Sequence, residues 1–304
     1  MSLKQIVLGS RTSRLAMWQT RFVIEQMQQA WPDLDCQIEP IVTKGDKTLD
    51  QPLPQIGGKG LFTLELEQAL REGRIDLAVH SLKDLPVEDG DGLTLGAIIG
   101  RADVRDVLVT TNDNTLGSLP LEAIVGTSSL RRQAQLLYAR PDLRVRSIRG
   151  NVETRIRKVN EGQYDATVLA AAGVTRLALD EHISQWLPLE VMLPAPGQGA
   201  LGVQCRADDA VTLELLSTIH QAAVAAAVTA ERSFLQHLGG GCATPVAAHA
   251  VQGKKGLHMT GLVAALSGGK QIQVSGHGED GWALGARLAG AALDQGAGEI
   301  LVNA

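Results

Sequence analysis

Glu72-Gly73-Arg74-Ile75-Asp76-Leu77-Ala78-Val79 and Glu161-Gly162-Gln163-Tyr164-Asp165-Ala166-Thr167-Val168 are the stretches from which the fold can be read outward. They lie 89 residues apart and agree at four of eight positions. Each reads as a helix end, an Asp at a strand entry, and then a buried strand. A Glu-Gly helix end and an Asp at a strand entry are both common, so the match alone leaves two unrelated turns open. The surroundings favour a repeat. Before the first copy come a strand at residues 5–8, a helix at 15–30, a strand at 36–42 and a helix at 61–72. Before the second come a strand at 124–126, a helix at 130–139, a strand at 144–148 and a helix at 152–160. Strand and helix alternate twice, which predicts two similar α/β domains with mixed, mostly parallel sheets. Ligands of such sheets bind beyond the strand ends. The polar, Gly/Pro-rich stretch 43–60 reads as a loop of the active-site kind. Leu193-Pro194-Ala195-Pro196-Gly197-Gln198-Gly199-Ala200 reads as a hinge or loop. An Ala-rich helical run follows from 213 to 234, and 246–304 reads as a small α+β domain of short strands and a helix at 282–293.

Composition narrows the function. With 304 residues, 44% of them hydrophobic, the chain can bury several cores, and disorder is excluded. A net charge of -5 argues against a nucleic-acid coat, and 3% aromatics against stacking platforms for single strands. Three cysteines form no disulfide scaffold and read as reduced thiols of a cytoplasmic protein. No apolar run reaches the length of a membrane span, and the N-terminus is not expected to be a signal peptide.

Against that acidic background the arginines stand out. Arg131, Arg132, Arg140, Arg144, Arg146, Arg149, Arg155 and Arg157 fall within 27 residues, opposed there only by Asp142 and Glu153. Thr127, Ser128 and Ser129 open a helix whose first turn carries Arg131 and Arg132. A cation at a helix N-terminus is unfavourable unless it faces an anion, and guanidinium forks suit carboxylates and phosphates. A polyanionic small ligand, a nucleic-acid backbone, or simply a solvated basic face would each fit. His80-Ser81-Leu82-Lys83-Asp84 leaves a buried strand. There Asp84 reads as a general acid, a counter-charge for a cation, or a helix cap. Gly57-Gly58-Lys59-Gly60 fails the phosphate-loop pattern, because Gly60 stands where Ser or Thr is required. Cys242, after Gly239-Gly240-Gly241, reads as an exposed nucleophile or attachment point, or as a structural thiol. The cysteines are too far apart for a metal site, and none is expected.

Taken together, the motifs resemble the porphobilinogen deaminase family over nearly the whole chain. They are Arg11-Thr12-Ser13 with Trp18-Gln19, Gly57-Gly58-Lys59-Gly60-Leu61-Phe62, Ala78-Val79-His80-Ser81-Leu82-Lys83-Asp84, and Val125-Gly126-Thr127-Ser128-Ser129-Leu130-Arg131-Arg132. Arg149-Gly150-Asn151, Leu193-Pro194-Ala195 with Gly197-Gln198-Gly199-Ala200, and the run from Glu231-Arg232 to Cys242 complete the set. The resemblance implies two periplasmic-binding-protein-like domains, residues 1–99 with 198–218 and residues 100–197. A C-terminal domain at 219–304 would carry the cysteine. It implies a transferase that condenses four porphobilinogen molecules stepwise, with loss of ammonia, into linear hydroxymethylbilane for haem and other tetrapyrroles. The priming cofactor would be a dipyrromethane held by a thioether to Cys242.

By the same resemblance Asp84 is the catalytic aspartate. Arg11, Lys83, Ser129, Arg131, Arg132, Arg149, Arg155 and Arg176 bind cofactor or substrate carboxylates. Ser13, Gln19, Lys59 and Thr127 support them, and Phe62 shields or stacks on a ring. The expected partners are porphobilinogen and the growing polypyrrole chain, with no nucleic acid and no membrane, on a monomeric protein. Gln55, Val104 and Ala243-Thr244-Pro245-Val246 depart from the residues more usual in the family, and none touches a proposed chemical role. The other class these features allow is a non-catalytic receptor for a small anion, which would need neither Asp84 nor Cys242.

Overall fold

The computed structural model describes residues 5–47, 63–88, 90–241 and 244–303. The expected loop from residue 48 onward, the start of the helix expected at 61, and Cys242 lie outside these residues. The chain divides into two compact units. Their described residues are 5–47, 63–88, 90–102 and 199–225 in the first, and 103–198, 226–241 and 244–303 in the second.

In chain order the first unit begins with β1 (Gln5–Arg11), α1 (Arg14–Ala30), β2 (Asp35–Ile41), the short α2 (Lys44–Lys47), α3 (Leu64–Arg71), β3 (Leu77–Ser81) and β4 (Leu93–Ile99). The second contains β5 (Asp106–Thr110), β6 (Ile124–Gly126), α4 (Leu130–Ala139), β7 (Arg144–Arg146), α5 (Val152–Asn160), β8 (Ala166–Ala170), α6 (Ala171–Arg176) and β9 (Gln185–Trp186). The chain then returns to the first unit with β10 (Leu201–Arg206) and α7 (Ala210–Ser217). After α8 (Ala222–His237) the second unit gains β11 (Val246–Gly253), β12 (Gly256–Ala264), β13 (Gln271–Gly278), α9 (Gly281–Asp294) and α10 (Ala297–Val302). The helical run read as continuous from 213 to 234 is therefore two helices, α7 and α8, with a break between them.

The sheets run β2-β1-β3-β10-β4, β7-β6-β8-β5-β9 and β11-β12-β13. The expectation of mostly parallel sheets is corrected. β1 pairs in parallel with β2 and β3, and β6 with β7 and β8. Yet β10 is antiparallel to β3 and β4, β5 is antiparallel to β8 and β9, and the third sheet is wholly antiparallel. Antiparallel pairings therefore outnumber parallel ones. In each five-stranded sheet a single reversed strand in fourth place makes two of the four pairings antiparallel, and the third sheet supplies the excess. In the first unit that strand is β10, by which the chain comes back; in the second it is β5, by which the chain arrives.

The sequence echo has a structural counterpart. Gly73 and Gly162 each close a helix at positive φ, 69° and 73°, where a Cβ would be strained. Three residues on, each Asp clamps the backbone of the strand that stands second in its sheet. Asp76 accepts from Val7 N at 2.9 Å and donates its own N–H to Val7 O; Asp165 accepts from Ile124 N at 2.7 Å and donates to Ile124 O. Both sheets are covered on two faces. Ile6, Leu8, Val23, Met27 and Val203 form one layer of the first unit, and Leu66, Leu70 and Ile75 the other. In β5, Leu108 joins the layer under α4, while Val107 and Val109 join Ile156 and Val174 beneath α5 and α6. Among the described residues no single helix is long and apolar enough to cross a membrane.

Candidate active site

In the first unit the carboxyl ends of β1 and β3 lie side by side, because Leu8 pairs with Leu77 and Gly9 with Ala78 in parallel. That edge gathers Arg11, Ser13, Lys83 and Asp84. Ser13 caps α1, its Oγ accepting from Ala16 N at 3.3 Å. Gln19, buried on α1, donates to Ser81 Oγ at 2.8 Å and ties the helix to the end of β3. Arg11 forms an ion pair with Asp46, which also accepts from Thr43 Oγ1 at 2.8 Å. Burial pushes the Asp46 carboxyl up, and the bonds from Arg11 and Thr43 outweigh it, so its pKa lies below the ordinary value. Asp84 closes a single 3-10 turn, Leu82–Asp84, whose N-cap position is Ser81. The helix-cap reading of Asp84 therefore fails. Leu82 and Leu85 are buried on either side, and Asp84 itself is exposed. No hydrogen bond or ion pair engages its carboxylate among the described residues.

The second unit repeats the arrangement. The carboxyl ends of β7, β6 and β8 are neighbours, and they deliver Arg149, then Thr127 to Arg132, then Arg176. Thr127 is buried, and its Oγ1 accepts from Ser129 N at 3.2 Å. Ser129 caps α4, and Asn151 caps α5, accepting from Thr154 N at 2.8 Å. On α5, Arg155 Nε donates to Gly150 O at 2.9 Å. Burial lowers the pKa of Arg149, and that of Arg176 to about 10; both stay cationic at neutral pH.

Arg131 and Arg132 are nearly fully buried rather than splayed at the helix end. The anion that their place in the first turn demands is present in the chain. Asp106, at the start of β5, is also buried. Because β5 runs against β8, pairing Asp106 with Ala170, its amino end reaches the edge where β6 and β8 finish. Arg132 Nη2 donates to Asp106 Oδ1 at 2.7 Å, and Arg131 Nη1 lies 2.8 Å from Oδ2. Burial pushes the Asp106 carboxyl up, but the two guanidiniums hold it well below the usual carboxylate range. Two cations face one carboxylate, and the Nε of each arginine is buried without a hydrogen-bond partner among the described residues. A surplus positive charge suits a ligand rich in carboxylates.

Sequence reasoning missed Asp46 and Asp106. The first lay in a stretch read as structureless. The second carried a signal: a charge opening the apolar run Asp106-Val107-Leu108-Val109 must be paired once buried. Lys59 and Phe62, like Cys242, lie outside the described residues. Cys205 is buried and Cys36 half-buried, with burial raising the Cys36 thiol.

Comparison with known proteins places these features in one family. The family model "Porphobilinogen deaminase, dipyromethane cofactor binding domain" matches residues 6–214, and "Porphobilinogen deaminase, C-terminal domain" matches residues 225–294. The chain is 50% identical over 303 residues to a porphobilinogen deaminase of Syntrophotalea carbinolica, covering 99% of this chain and 96% of the relative. It is 49% identical over 297 residues to that of Brevibacillus brevis, covering 97% and 96%. Among solved structures, a nutrient binding protein from Burkholderia cenocepacia bound to methionine aligns with a TM-score of 0.44 and 13% identity, covering 72% of this chain and 93% of that one. With two family models matched in order and about half of the aligned residues identical to relatives matched almost end to end, the chain belongs to the porphobilinogen deaminase family.

Proposed function

We propose that in this chain Asp84 supplies the catalytic charge, Cys242 holds the cofactor, and the arginines of the second unit grip the carboxylates. The reaction itself is that of the family: stepwise condensation of four porphobilinogen molecules, with release of ammonia, into hydroxymethylbilane, on a dipyrromethane cofactor. The dipyrromethane, when bound, supplies a free pyrrole α-carbon to which substrate is joined. Each pyrrole carries an acetate and a propionate, so cofactor, substrate and growing chain are polyanions. Arg131, Arg132, Arg149, Arg155 and Arg176, with Arg11, Lys83 and Ser129, are read as their binders. Ser13, Gln19 and Thr127 brace the strand ends; Lys59 and Phe62 are read as contributing from the neighbouring glycine-rich segment. Asp84 stabilises the positive pyrrole nitrogen that develops in the substrate as ammonia leaves, acting as an acid or through its field.

The observation that carries this reading is the Asp84 carboxylate. It is exposed, and unengaged among the described residues, at the strand ends that also carry Arg11 and Lys83. A carboxylate with a purely structural duty would be spent on a cap or an ion pair. We further read residues 1–99 with 198–218 and residues 100–197 as periplasmic-binding-protein-like domains, and 219–304 as the cysteine-bearing domain, of a monomeric cytoplasmic enzyme. The test is stoichiometric. Purified protein given porphobilinogen should release four ammonia molecules for each hydroxymethylbilane formed. Ammonia release without a tetrapyrrole product, or neither, contradicts the reading.

A further inference from the structure

Asp106 is buried, charged, and without a part in the roles set out above. Four segments of the second unit meet at it. Its Oδ1 accepts from Arg132 Nη2 at 2.7 Å and from Gln198 Nε2 at 3.0 Å. Gln198 Nε2 also donates to Val104 O at 2.7 Å. Arg131 Nη1, paired with Oδ2, donates to Leu193 O at 2.7 Å, and Arg132 Nη1 donates to Val168 O at 2.9 Å. Each guanidinium is thus held by the carboxylate and by a carbonyl of a different segment. That leaves its plane little freedom to turn.

The charges explain why an acid is needed here. Two buried guanidiniums with no anion between them would repel each other and lack part of their solvation. One carboxylate brings the set to a net charge of +1, keeping a surplus for an anionic ligand. Residues 104–106 bring the chain into this unit, and residues 193–198 lead it out. The carboxylate therefore joins both crossing segments to the first turn of α4.

We propose that Asp106 is a positioning residue. It holds Arg131 and Arg132 in one orientation, sets their combined charge, and through Gln198 ties that orientation to the segment by which the chain leaves the unit. This rests on the reading of Arg131 and Arg132 as carboxylate binders. Asp106→Asn keeps the size and one acceptor, but turns either an amide or an unmatched oxygen toward a guanidinium. Asp106→Glu keeps the charge and moves it by one methylene.

The test uses holoenzyme, with rates normalised to covalent cofactor content. Asp106→Asn should raise KM for porphobilinogen about tenfold, within the loss that an ångström of misplacement brings, with kcat changed by less than about threefold. Asp106→Glu should raise KM by less, yet measurably. A merely structural role would lower thermal stability and the yield of holoenzyme, but the enzyme that did form would keep a wild-type KM. A wild-type KM in whichever variants fold overturns the proposal, and Asp106→Glu decides if the amide does not fold. Arg131→Lys and Arg132→Lys are measured alongside. If they leave KM unchanged, the underlying reading of the arginines has failed. If they raise it while the Asp106 variants do not, only the role of Asp106 has failed.

Discussion

Replacing Asp84 with Asn removes one negative charge and little else. The N-cap position of the 3-10 turn is Ser81, its anchors Leu82 and Leu85 are buried, and the Asp84 carboxylate has no bond to lose among the described residues. Stability should therefore stay within the roughly 0.5 kcal/mol typical of surface substitutions. Catalysis should not. Two unit charges about 4 Å apart interact by about 1 kcal/mol in bulk water and about 4 kcal/mol at the effective dielectric near a protein surface. A substrate lying over Asp84 displaces water and moves the pair toward the larger figure. Loss of one preorganised electrostatic partner costs about 10²–10³ in rate. The effect should fall mainly on kcat, since the arginines hold the substrate carboxylates. Asp84→Glu, which keeps the charge, should retain more activity than the amide. The assay is the single-turnover rate of ammonia release from holoenzyme, normalised to covalent cofactor. Even the bulk-water limit is about fivefold in rate. An Asp84→Asn enzyme within about threefold of wild type would remove Asp84 from the catalytic assignment.

Arg132→Leu should lower the melting temperature of the apo protein as well as impair cofactor assembly, because it takes a partner from a buried carboxylate. The loss should be about 3 kcal/mol, the low end for a broken buried pair, since Arg131 still faces Asp106. An apo variant melting at or above wild type, as relief of like charge at the helix end alone would predict, contradicts this. His80 is buried, and that burial lowers its pKa from the ordinary 6.5 to about 4, outweighing the opposing pull of Gln204. The unfolded chain then binds a proton that the folded one refuses between those values. The contribution is complete above pH 6.5 and is lost as pH falls toward 4, with a slope of up to about 1.4 kcal/mol per pH unit. Denaturant titrations across this range should show a flatter slope for His80→Gln; an unchanged slope refutes it. Gly285 of α9 lies so close to Ala230 O of α8 that a Cβ has no room. Gly285→Ala should cost about 1–3 kcal/mol, read from the denaturation midpoint, and a neutral result would show that the helices part freely.

Much of this could be read from the chain because it depends on neighbours in sequence. The caps Ser13, Ser129 and Asn151 sit just before their helices, and the paired Gly-Asp turns at 73–76 and 162–165 repeat a local device. Strand direction in fourth place could not be read this way. Whether β5 and β10 run with or against their neighbours depends on which end the chain enters from after crossing between units. The arginine-rich segment was visible as charge, but its counter-ion was not. Asp106 lies 25 residues before Arg131 and is brought to it only by that reversed strand. The ion pair of Arg11 with Asp46 was hidden for a related reason, since it depends on how β1 and β2 align.

The central claim is the proposal that this chain carries its dipyrromethane primer on Cys242. Intact-mass measurement of the purified protein tests it most directly, beside the Cys242→Ser variant. The account predicts a wild-type mass above that of the bare chain by two condensed pyrrole units, and a colour with acidic Ehrlich reagent. The variant should show the bare mass and no colour. A wild-type protein that turned over porphobilinogen at its bare mass, or a Cys242→Ser protein carrying the same addition, would contradict it.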